Sequence, residues 1–171
     1  SLIVGGSMLD FTAADLTDMD MTIAGTGAAM KFKAGSIANL RLDSATPFAS
    51  MDFTAWEWLT DEANTDLELT ELSTLKAPWI GKLTTRGEFS AISSISGVNA
   101  PAVSVAAMKI GGAFSGQMAV VGNVGTFVAG SMDSGMLVTR GSVASINTAR
   151  AIDASVWARS ITKLDAGTIT S

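Results

Sequence analysis

Met118-Ala119-Val120-Val121-Gly122-Asn123-Val124-Gly125-Thr126-Phe127 is followed by Met136-Leu137-Val138-Thr139-Arg140-Gly141-Ser142-Val143-Ala144-Ser145-Ile146, and the two stretches run through the same sequence of events. Each opens on apolar residues two apart, Met118 and Val120 in one, Met136 and Val138 in the other. Each then breaks at Gly-Asn or Gly-Ser and closes on an apolar pair three apart, Val124/Phe127 or Val143/Ile146. Alternation with a period of two marks a short strand with one buried face. Glycine beside a small polar residue marks a corner.

The closing pair recurs along the whole chain. Its copies are Leu16/Met19, Ile37/Leu40, Trp56/Leu59, Leu72/Leu75, Ile92/Ile95, Val105/Met108, Val124/Phe127, Val143/Ile146 and Ile161/Leu164. Several share the alternating lead-in: Leu9 and Phe11, Met30 and Phe32, Met51 and Phe53, Leu67 and Leu69. With Leu2 as an earlier anchor, the spacing averages 18 residues. Strands this short bury nothing alone, but stacked coil upon coil their inward side chains form a continuous column. The expected fold is therefore all-β, a parallel β-solenoid of about nine irregular coils averaging 18 residues, in a single domain over residues 1–171. A β-sandwich accounts for the strands but not for the recurring phase of the pairs. Helix is disfavoured by the density of Thr and Gly.

Composition agrees. Ala, Gly, Ser and Thr supply 80 of 171 residues, so neighbouring backbones can approach closely. There is no Cys and no His, which removes disulfides, thiolate nucleophiles, Ser-His-Asp triads and most zinc, copper and haem sites. A net charge of −5 gives no basic footprint for nucleic acid. Residues 111–130 carry no charge, yet six glycines interrupt them, so a membrane-spanning helix is not expected there. Neither a P-loop nor a dinucleotide fingerprint occurs among the Gly-rich stretches.

Lys109-Ile110-Gly111-Gly112-Ala113-Phe114-Ser115-Gly116 and Gly122-Asn123-Val124-Gly125-Thr126-Phe127 resemble large bacterial surface proteins built from irregular Gly-rich β-strand repeats, within the broader class of right-handed β-helix passenger regions. The resemblance is one of composition over most of the chain. It implies an exported rod, at the cell surface or outside the cell, and a right-handed coil. Calcium-binding nonapeptides and the strict hexapeptide of left-handed triangular helices are both absent.

The chain opens Ser1-Leu2-Ile3-Val4-Gly5-Gly6, with no charged n-region to mark a signal peptide. That opening aligns with Met108-Lys109-Ile110-Gly111-Gly112, and the tail from Leu164 falls in the same phase. No capping helix stands at either end. The expectation is an excerpt of a longer array, or a unit that stacks end to end into a homo-oligomer or filament.

Three groups of side chains are candidates for chemistry. Residues 43–71 hold eight acids and no base, and within them Asp61, Glu62, Asp66 and Glu68 form a calcium candidate through hard oxygen ligands. The plain alternative is a solvated coil edge. Trp56 and Trp58 alternate onto one side and, with Trp79, form a sugar-stacking candidate, against core filling as the plainer role. Asp10, Asp52 and Glu68 sit between apolar neighbours on strands, Asp10 and Asp52 in one register, as paired carboxylates for a polysaccharide lyase or hydrolase would. Outward polar residues are what alternation produces anyway. The expected function is non-catalytic, a structural or adhesive rod with no cofactor beyond possible calcium. Surface glycans are candidate partners; nucleic acid and membrane insertion are not expected. The alternative is a glycan-binding or glycan-degrading β-helix.

Overall fold

A computed structural model describes residues 1–57 and 73–169. Among them every regular element is a strand, and all strand pairings are parallel. In chain order these are β1 (Leu2–Val4), β2 (Asp10–Thr12), β3 (Leu16–Ile23), β4 (Met30–Lys33), β5 (Ser36–Ser44), β6 (Phe48–Phe53), β7 (Ala55–Glu57) and β8 (Thr74–Ala77). There follow β9 (Ile80–Thr85), β10 (Ile92–Ile95), β11 (Val105–Phe114), β12 (Gln117–Val120), β13 (Val124–Thr139), β14 (Ser142–Trp157) and β15 (Ser160–Ile169). The chain is a parallel β-solenoid of about eight coils.

Pairing resolves each coil into three walls. In the first wall one inward column runs Phe11, Phe32, Met51, Leu83, Met108, Phe127, Ile146, Leu164. The second wall stacks Leu16, Ile37, Trp56, Phe89, Phe114, Met132, Ile152 and Ile169. In the third the column is Leu2, Met21, Leu42, Leu75, Ser93, Met118, Leu137, Val156. These three columns meet in one hydrophobic core, with most members buried.

Eight rungs stand where the repeat spacing counted nine, and the reason is a change of frame. The anchors Leu16, Ile37 and Trp56 lie on the second wall, Leu75 and Ile95 on the third, and Met108, Phe127, Ile146 and Leu164 on the first. Equal spacing thus joined residues on different walls. Along the first wall the true steps are 21, 19, 32, 25, 19, 19 and 18 residues. The step of 25 carries the loop at residues 96–104, and the step of 32 contains residues 58–72, which lie outside the described residues.

Corners are held by local polar chemistry. Asp18 and Asn39 occupy equivalent corner positions with φ of 49° and 51°, a left-handed conformation that Asn and Asp tolerate better than most residues. The Asn39 amide donates to Asp18 Oδ1 at 2.9 Å, tying one coil to the next. Buried hydroxyls serve other corners: Ser104 Oγ donates to the Val121 carbonyl at 2.7 Å, and Thr46 and Thr139 donate to the carbonyls of Gly25 and Gly122. Gly125 lies so close to the coil beneath that a Cβ would collide with the Ala106 carbonyl.

Candidate functional site

Three surfaces of the solenoid bear on function: a cleft beside Trp79, the outward faces of the first and third walls, and the exposed inward side of the last coil.

The cleft, of about 300 Å³, lies at the turns from the third wall into the first. Thr26, Pro47, Pro78, Trp79, Val98 and Asn99 line it, drawn from successive turns and from the loop at residues 96–104. Trp79 is half-buried there. An indole beside an amide and a hydroxyl is chemistry that can take a sugar ring.

Trp56 has a different place. It is buried on the second wall, 5.4 Å from the Phe53 ring, 5.7 Å from Phe89, and edge-on to both. Its ring therefore offers no face to a sugar, and the core-filling role holds. Its indole N–H has no hydrogen-bond partner among the described residues. Trp58 lies outside the described residues, as do Asp61, Glu62, Asp66 and Glu68 of the calcium candidate. Among the described residues no group of three or more His, Cys, Asp or Glu side chains converges as a metal site would.

Asp10 and Asp52 both face outward on the first wall but not in one register. Asp10 pairs with Lys31, whereas Asp52 pairs with Lys33, one outward position further along. The shift arises because β6 holds an extra residue: Met30 pairs with Phe48, but Lys31 with Ser50. The sequence reading aligned Phe53 with Phe32 and so missed that bulge. Two carboxylates two strands apart, separated by lysines, are not brought together as an acid–base pair.

Charge is distributed unequally between the walls. On the third wall cations meet carboxylates on the next strand, Arg41 with Asp20 at 3.7 Å and Lys76 with Asp43 at 3.6 Å. On the first wall Lys31, Lys33, Lys82 and Lys109 point outward, with no ion pair among the described residues. This segregation was not read from the sequence. Residues so far apart in the chain share a face only once the coil lengths are known.

The last coil shows its core side. Ile161, Leu164 and Ile169 continue columns that are fully or nearly fully buried one coil earlier, yet they are 37%, 48% and 64% exposed. β15 pairs with β14 alone, leaving its other edge without a strand among the described residues. No known protein-family model matches this chain, and neither curated proteins nor solved structures provide a match to it.

Proposed function

We propose that this chain is a non-catalytic structural or adhesive solenoid, acting as a rigid rod outside the cell and extending by the stacking of further coils. The observation that carries this reading is the continuity of the three inward columns through every coil. Backbone hydrogen bonds between parallel coils run along the axis, so load along the rod is borne by many bonds in parallel. At the 4.8 Å strand spacing, eight rungs span about 34 Å from first to last. An exposed apolar column beside an unpaired strand edge favours another coil of the same kind, which would bury Leu164 and pair β15 in one step. The resemblance to Gly-rich repeat proteins of bacterial surfaces agrees with export.

Light scattering and electron microscopy of the purified chain test the stacking. Elongated assemblies are expected to lengthen with concentration, and Leu164→Lys is expected to disperse them to single rods. A wild-type chain that stays a folded monomer at high concentration would sink self-stacking.

The second reading, a glycan-binding module, is favoured by the Trp79 cleft alone. A Trp79→Ala variant that loses neutral-glycan binding shown by the parent chain would promote it. Turnover of a polysaccharide, lost in Asp52→Asn, would overturn the non-catalytic assignment.

A further inference from the structure

We infer that the outward face of the first wall, centred on Lys31, Lys33, Lys82 and Lys109, binds a linear acidic polysaccharide lying along the solenoid axis. The inference goes beyond the rod and does not depend on coil stacking.

Placement is the first ground. Lys31 and Lys82 belong to one outward column, with Ser50 between them. Two strand spacings put their backbones about 9.6 Å apart. Lys33 and Lys109 belong to the adjacent column, with Asp52 and Thr84 between them. Arg86, also exposed, follows the end of β9. From β2 to β11 the face thus carries five cations against two carboxylates, Asp10 and Asp52, on a chain whose net charge is −5.

Pairing is the second ground. The third wall neutralises its cations across neighbouring strands; the first wall leaves these five without an ion pair among the described residues. Flexible lysines held in rows by a rigid sheet are suited to a partner that presents repeated negative charge at several ångströms' spacing. Their neighbours Thr12, Ser50 and Thr84 add hydroxyls able to hydrogen-bond sugar hydroxyls.

The chemistry of the face favours a glycan over nucleic acid. No aromatic residue occupies an outward position of the first wall between β2 and β11, so bases find no stacking platform. The face is a flat sheet, which enters no groove of a duplex, and the overall negative charge opposes a densely phosphorylated strand. Carboxylated or sulfated sugars, with wider charge spacing and abundant hydroxyls, suit it better.

The test compares dextran sulfate, polygalacturonate, unmodified dextran and a single-stranded DNA oligonucleotide by calorimetry with the full chain, at low and at raised salt. Two triple variants remove equal charge: Lys31→Gln/Lys82→Gln/Lys109→Gln on the face, and Arg140→Gln/Arg150→Gln/Arg159→Gln away from these lysines. Circular dichroism checks the fold of each. One acidic polysaccharide or both are expected to bind, more weakly at raised salt. The lysine triple should weaken binding about tenfold or more, and the arginine triple less than about threefold. Equal losses in the two triples would reduce the effect to net charge and overturn the site. Absence of binding to both acidic polysaccharides, or tighter binding to the oligonucleotide, would overturn it as well.

Discussion

Ser93 is the residue at which the packing of this solenoid is least consistent. It stands in the third-wall column between Leu75 and Met118, fully inside, and its hydroxyl has no hydrogen-bond partner. Other buried hydroxyls differ in having carbonyls to bond, as Ser104 and Thr139 do at corners. A buried hydroxyl without a partner costs more than the methyl that replaces it. Ser93→Ala is therefore expected to raise unfolding free energy by about 1 kcal/mol, read as a higher urea midpoint. A lower midpoint would mean that the hydroxyl has an ordered water or another acceptor. Neither its burial nor its lack of a partner was legible in Ile92-Ser93-Ser94-Ile95, where alternation leaves open which serine faces inward. The pairing Leu75↔Ser93↔Met118 decides it. Asp18 and Asn39 are a similar case. Both sit inside repeat pairs as unremarked polar residues, and their left-handed backbone follows from the corner the coil must turn.

At the scale of elements, the middle of the rod is organised by a run of aromatic rings. Phe53, Trp56, Phe89, Phe114 and Phe127 form successive contacts with ring centroids 5.2 to 6.2 Å apart. Phe89 is the hinge of this run: it bridges Trp56 on one side and Phe114 on the other, although it lies outside the named strands. Phe89→Ala removes a fully buried ring between rigid neighbours and is expected to cost about 3–5 kcal/mol in chemical denaturation. Phe11→Ala, at the half-buried first rung, should cost clearly less. Similar costs at the two positions would contradict a core built from stacked coils. The strands themselves were largely readable, because alternation in Met30-Lys31-Phe32-Lys33 or Met118-Ala119-Val120 has a period that only a strand satisfies. What escaped was the wall each strand joins. Trp56 shows why: alternation sets it opposite Glu57 but does not say which side is inside, and only Ile37 below and Phe89 above make it core.

For the molecule as a whole, a solenoid's stability is a sum of coil and nearest-neighbour terms, so its ends open more easily than its middle. Amide hydrogen exchange should accordingly be slowest in β9, β11 and the first half of β13. It should be fastest in β1, β2 and β15, which have a neighbour on one side only. Uniform protection from end to end would point to a single cooperative unit or to ends covered in solution. By itself the sequence determined the strand period, the corners, the parallel stacking and the composition that permits close coils, because these depend on residues near one another in the chain. Tertiary structure alone decided the frame of the coils, the bulge that separates Asp10 from Asp52, the burial of Trp56 and the gathering of unpaired lysines on one wall. The physical reason is coil length. Each insertion between rungs, such as the loop at residues 96–104, leaves local alternation intact while changing which distant residue comes to lie 4.8 Å away.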